Sequence, residues 1–208
     1  LFITGPGGTG KTQLIKYTVD YLKSNNLNHQ VCAMTGCAAV LLKCGAATLH
    51  SWSGIKLAKG ETQKILNGVL RNKKTLESWR SVRVLIIDEI SMMSQKIFEL
   101  CDLIGRHVRK IDKPFVGIQM IFTGDFFQLP PVGDKDGNLN TSNFCFQSKN
   151  WFNTFKMENH IQLKTIFRQN DPVYIDILMQ IRRGQLDQKN IDILKQYIRR
   201  PVKDENGY

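Results

Sequence analysis

Gly5-Pro6-Gly7-Gly8-Thr9-Gly10-Lys11-Thr12 sets four glycines ahead of a lysine and a threonine, in the spacing G-x-x-x-x-G-K-[ST]. Residues without a Cβ let backbone N–H groups turn inward around phosphate oxygens. Lys11 can then reach the β and γ phosphates of a nucleoside triphosphate such as ATP, and the Thr12 hydroxyl can hold Mg²⁺. An acidic pair, Asp88-Glu89, follows the apolar run Leu85-Ile86-Ile87. A carboxylate ending a buried strand suits the Mg²⁺ shell, and Glu89 beside it suits a base that orients and deprotonates water. Together the two motifs indicate binding or hydrolysis of a nucleoside triphosphate. Kinases, clamp loaders, packaging motors and helicases share that chemistry.

The elements that must position these residues alternate strand and helix, which predicts a mainly parallel sheet with helices on both faces. Leu1 to Thr4 reads as a strand and Lys11 to Lys23 as a helix, with Leu14, Ile15, Val19 and Leu22 near its apolar face. Gln30 to Met34 reads as a second buried strand, with a helix starting near Cys37. Val84 to Ile87 is an unbroken apolar strand, as expected at the centre of a parallel sheet. Ser94 can cap a helix carrying Ile97, Leu100, Cys101, Ile104 and Val108 at helical spacing, and Ile118 to Phe122 is a further strand. Residues 133–143, rich in Gly, Asn and Asp, predict a loop or loose hairpin. Asp171-Pro172 opens a helix whose buried face is Val173, Ile177, Leu178 and Ile181, and Gly184 closes it. A last helix runs from about Asp187 to Arg199 and stops at Pro201.

The 208 residues, 42% of them hydrophobic, suffice for one core. No apolar run is long enough for a membrane span. A net charge of +11 points to a polyanionic partner. Five cysteines without a C-x-x-C pair, and four scattered histidines, argue against a zinc site and for reduced thiols inside a cell. Residues 53–83 carry eight Lys or Arg against Glu61 and Glu77 and show weak apolar periodicity. They read as a small basic insertion on the core. Lys73 and Lys74 belong to this stretch, which serves either as a phosphate-binding flank or as a solvated loop.

Three further stretches narrow the class. Ile121 to Val132, with the string Gly-Asp-Phe-Phe-Gln-Leu-Pro-Pro-Val, resembles motif III of the Pif (petite integration frequency) family of superfamily-one DNA helicases. Met34 to Val40 and Thr48-Leu49-His50-Ser51-Trp52 resemble motif Ia and its neighbouring segment, which face single-stranded DNA in that family. Thr35, Gly36 and Ser51 suit phosphate contacts, and His50 and Trp52 suit stacking on bases, although Trp52 equally suits a core. Leu163 to Gln169 resembles motif IV. Ala47 stands where the family more often has Gly or Thr.

The resemblance spans residues 1 to about 200 and implies a RecA-like P-loop NTPase fold. It implies ATP and Mg²⁺ as cofactors, with Gln128 sensing the γ phosphate and Arg168 contacting it. It also implies 5′-to-3′ movement on single-stranded DNA, action on DNA junctions, and roles in repair, recombination and telomere maintenance. For eukaryotic members the compartments are the nucleus and mitochondrion. On this reading 1–200 is one motor domain, with core 1–52 and 84–200 and insertion 53–83. Residues 201–208 begin a linker to a second RecA-like domain, and an adenine-reading segment is expected before Leu1. One such domain cannot convert cleft closure into stepping. A RecD-like or relaxase-type helicase domain, or a stand-alone nucleotide-dependent DNA-binding module, shares the first motifs.

Overall fold

The computed structural model describes residues 1–133 and 139–198. They fall into two compact units, Leu1–Phe167 and a second beginning at Arg168. The first unit contains β1 (Phe2–Thr4), α1 (Lys11–Ser24), β2 (His29–Ala33), α2 (Gly36–Leu42), β3 (Ala47–Thr48), α3 (Leu49–Ser53), α4 (Thr62–Leu70), α5 (Lys73–Ser81), β4 (Val84–Asp88), α6 (Gln95–Arg109), β5 (Gln119–Gly124), α7 (Leu139–Ser142), α8 (Trp151–Thr154) and β6 (His160–Gln162). The second contains α9 (Pro172–Arg183) and α10 (Gln188–Lys195).

The six strands form one parallel sheet in the order β3-β2-β4-β5-β1-β6. Because strand side chains alternate, β4 sends Leu85 and Ile87 to one face and Val84 and Ile86 to the other. The second face is covered by Ile15, Val19 and Leu22 of α1 with Ala39 and Leu42 of α2. The first carries the larger core, where Phe98, Ile104, Phe115, Trp151 and Phe155 pack. Helices on both faces of a parallel sheet are the predicted RecA-like arrangement.

The basic stretch is more ordered than its composition suggests. α4 buries Leu66 and Val69, and α5 buries Trp79, which is fully enclosed and donates its indole N–H to Ser53 O at 3.2 Å. Ile55, Ala58, Leu66, Val69, Trp79 and Val82 all join the larger core. Each of these nine-residue helices buries only two residues, Leu66 and Val69 in α4 and Thr75 and Trp79 in α5, too few to stand out as a long periodic pattern.

Other expectations need correction. Leu14 lies off the buried face of α1 and is exposed, because the arc through Ile15, Val19 and Leu22 already meets the sheet. Asp171 and Gly184 cap α9 as predicted, the glycine with φ 67°. Of its expected buried face only Ile177 is buried, while Val173, Leu178 and Ile181 are 46, 36 and 52% exposed. α10 ends at Lys195, four residues short of the expected end. Residues 139–142 form the helical turn α7, not a loop; 134–138, Pro201 and the expected linker at 201–208 lie outside the described residues. β6 was not foreseen, since a three-residue strand at a sheet edge carries almost no pattern. No helix among the described residues is long and apolar enough to cross a membrane.

Candidate functional site

Every strand of the parallel sheet delivers its carboxyl end to one edge, where ligands of such sheets bind. Thr48, Ala33, Asp88, Gly124, Thr4 and Gln162 end β3, β2, β4, β5, β1 and β6, in spatial order. Apart from Arg168, the expected nucleotide residues therefore lie over β4, β5 and β1, and most of the expected DNA residues over β2 and β3. Four strand spacings separate β3 from β1, about 19 Å.

The phosphate loop links β1 to α1. Gly8 and Gly10 take positive φ of 83° and 88°, which a side chain would resist. At Gly5 space decides: a Cβ there would lie 2.5 Å from the Leu163 carbonyl oxygen. The chain after β6 backs the loop through Leu163 N–H to Thr4 O at 2.8 Å and Phe167 N–H to Gly8 O at 2.9 Å. Thr9, buried, donates to Pro6 O at 2.9 Å and braces the loop from within. The Lys11 ammonium donates to Gly5 O at 2.7 Å and Pro6 O at 2.9 Å. Gly7 and Thr12 are exposed.

Asp88 is buried at the end of β4. Its Oδ1 accepts from the Glu89 N–H at 2.9 Å and from the Thr123 hydroxyl. Glu89 sits in the left-handed region, φ 57° and ψ 42°, a conformation that non-glycine residues adopt at a cost and that clusters at functional sites. Burial pushes its carboxyl above the ordinary value, and the charges of Asp88 and Asp125 push the same way, with Lys11 opposing. Lys11 opens the helix after β1, Asp88 and Glu89 stand at the end of β4, and Asp125 follows β5, so the four charges share one edge of three adjacent strands. Gln128 is exposed on the loop after β5, with its N–H on Asp125 O at 2.8 Å and its amide 3.4 Å from Asp125 Oδ2. Hard oxygen donors suit Mg²⁺, which takes one or two protein ligands and completes its shell with phosphate and water. The Thr12 hydroxyl and Asp88 fit that demand.

Sequence reasoning passed over Thr123 and Asp125 as site residues. Asp125 stood in the stretch Ile121 to Val132, and it is buried with Gln128 bonded to it. Thr123 stood in the same stretch, but nothing local pointed to its partner, Asp88, 35 positions away.

The expected DNA residues are less tightly joined. Thr35 caps α2 by accepting from the Ala38 N–H at 3.2 Å, and Gly36 beside it is exposed. Ser51 is exposed, its N–H on the capping Thr48 hydroxyl at 3.2 Å. His50 is half-buried in a cavity of about 190 Å³ with Met34, Met92 and Ile97, and burial holds its imidazole below the usual pKa. Trp52 packs on Trp79, centroids 4.8 Å apart, as part of the core margin. Lys73 and Lys74 are exposed on the first turn of α5, just before Thr75, which packs under Gly54. Arg168 is exposed and opens the second unit, so its part in the site rests on sequence resemblance alone.

A family profile described as PIF1-like helicase matches residues 1–192. The chain is 41% identical over 208 residues to the ATP-dependent DNA helicase PIF1 of Saccharomyces cerevisiae, covering 99% of this chain and 23% of that protein. The crystal structure of Pif1 helicase from Candida albicans superposes with a TM-score of 0.88 at 36% identity, covering 100% of this chain and 45% of that one. Pif1 helicase from Bacteroides, solved in complex with ADP-AlF3 and single-stranded DNA, superposes at 0.80 with 33% identity over 100% of this chain and 48% of that one. The chain spans about a quarter of the length of this yeast relative.

Proposed function

The chain belongs to the PIF1-like helicase family, and from that premise we propose that it is a nucleotide-hydrolysing motor domain of an ATP-dependent DNA helicase. The observation that carries the proposal is the placement of Lys11, Asp88, Glu89 and Asp125 at the carboxyl ends of three adjacent strands, β1, β4 and β5, beside a glycine loop that opens a helix. Loop N–H groups and the positive end of α1 receive the phosphates. Lys11, now on two carbonyls of its own loop, turns its ammonium to the β and γ phosphates. Thr12 and Asp88 would hold Mg²⁺, which when bound neutralises charge across the β and γ oxygens. Glu89 accepts the proton of the attacking water, and Gln128, steadied by Asp125, orients on the γ phosphate. Arg168 stabilises the charge that develops there.

Thr35, Gly36, His50 and Ser51 lie on the same edge, over β2 and β3, and contact the backbone of single-stranded DNA. Trp52 supports them from the core side by its packing on Trp79. The activity of the whole protein follows from the family: 5′-to-3′ translocation by a cleft between this domain and a second RecA-like domain, on single strands and DNA junctions. Repair, recombination and telomere maintenance are the processes it serves. A DNA-holding compartment goes with them, the nucleus or mitochondrion of a eukaryotic cell. The family match favours this reading over a RecD-like or relaxase-type helicase.

Phosphate release from ATP, with and without single-stranded DNA, tests the proposal. DNA-stimulated release that disappears in Lys11→Ala is the expected result. A protein that binds neither nucleotide nor DNA would sink the reading.

A further inference from the structure

We propose that Thr123 is a positioning residue for the nucleotide-bound cation: its hydroxyl fixes Oδ1 of Asp88, so that Oδ2 alone is presented to the cation. The proposal rests on the nucleotide-binding reading above. In the parallel pairing of β4 with β5, Ile87 stands opposite Phe122. The next residues of the two strands are Asp88 and Thr123, neighbours on one face of the sheet. Thr123 is 1% exposed, and its hydroxyl donates to Asp88 Oδ1. That oxygen also accepts the Glu89 N–H at 2.9 Å. No hydrogen bond from the described residues reaches Oδ2.

A carboxylate bound through one oxygen to two donors has lost its freedom to rotate about the Cβ–Cγ bond. The two donors come from different directions, one along the chain and one across the sheet. Losing either leaves a single tether about which the group can swing. Threonine adds stiffness, since branching at Cβ restricts χ1. The sheet does not need this bond for its pairing: the backbone ladder already joins β4 to β5 through Ile87 and Phe122. The bond is spent on a carboxylate, and carboxylate bonds are among the stronger ones, so its loss is measurable. Thr123 also stands two residues before Asp125, which holds Gln128. One strand end therefore sets both the cation ligand and the γ-phosphate sensor.

The test compares wild type, Thr123→Val and Thr123→Ser by calorimetry of ADP binding, in EDTA and across a Mg²⁺ titration. Electron paramagnetic resonance of Mn²⁺ with ADP gives a second reading of the cation. Valine keeps the shape and removes the donor. Thr123→Val is expected to retain its ADP affinity in EDTA while needing about tenfold more Mg²⁺ or Mn²⁺ for half-saturation. Thr123→Ser is expected to restore the wild-type requirement to within about twofold. An unchanged cation requirement in the valine variant would overturn the proposal. So would a loss of ADP affinity as large in EDTA as in Mg²⁺, which would mark a packing role, or a serine variant no better than valine. A wild-type chain that binds no nucleotide under any condition is a separate outcome: it removes the functional reading and the proposal with it.

Discussion

Over β4, β5 and β1 the candidate residues are held by bonds that leave them few alternatives. Asp88 is fixed by two donors, Glu89 by a left-handed backbone, and the glycine loop by Leu163, Phe167 and Thr9 behind it. Along α3 and α5 the candidates have far less around them. Ser51, Lys73 and Lys74 are exposed, and His50 and Trp52 are shaped by the core beneath them. The contrast matches two kinds of chemistry. Transferring a phosphoryl group needs a base, a cation ligand and a lysine held to fractions of an ångström. Following a flexible, uniformly charged strand needs positive charge and donors within reach, which long mobile side chains supply.

Replacing one atom at the rigid edge should therefore have the larger effect. Glu89→Gln is expected to lower DNA-stimulated phosphate release by about 10² to 10⁴, the range of a general base, while ATP affinity by calorimetry stays near wild type. Sustained turnover would assign the base to another residue. The raised carboxyl pKa adds a pH signature. The base works only when ionised, so release should fall as pH drops through a midpoint above the ordinary 4.5, and that limb should vanish in the glutamine variant. Trp79→Ala tests what the flank is built on. Removing a fully enclosed indole should cost about 3–5 kcal/mol of folding stability in urea titrations. A cost under about 1 kcal/mol would mean that α5 is a loose appendage, not part of the core. Lys11→Ala should weaken Mg·ATP at least about tenfold, 1.4 kcal/mol. Unchanged affinity would rule out the phosphate-loop assignment.

The rigid edge was also the legible one. Gly5 to Thr12 and Asp88-Glu89 are contiguous, and their geometry follows from a strand that must end and a helix that must begin. Thr123 to Asp88 joins residues 35 positions apart, and no local pattern announces it. The core residues of α4 and α5 were hard to read because each short helix buries only two side chains. In α9 the opposite happened. Val173, Leu178 and Ile181 line an apolar face that was expected to be buried, yet they are largely exposed. Periodicity reports which side of a helix avoids water and is silent on what covers it. Trp52 shows the same limit, since its type alone left core and base stacking open, and its contact with Trp79 gives it a place in the packing.

The smallest expected effect bears on the soft side of the comparison. Lys73 and Lys74 begin α5, where two ammonium groups face the positive end of a helix and lose a few tenths of a kcal/mol by doing so. An anionic partner at that turn would reverse the sign of that cost. Thr75, the next residue, packs under Gly54 at the close of α3, so the turn is tied to the segment that carries His50 and Ser51. If both lysines contact phosphates of a single strand, each releases counterions on binding, about 0.7 per contact. Changing both to Glu should then weaken single-stranded DNA binding and flatten the plot of log affinity against log salt by about 1.4. ATP binding should not change, because the phosphate loop lies across the sheet over β1. Fluorescence anisotropy over a salt series measures the slope, and oligonucleotides of different sequence should give the same change, since phosphate contacts do not read bases. Equal slopes for the two proteins would make the turn a solvated cap on a packed helix and confine the proposed DNA track to the residues over β2 and β3.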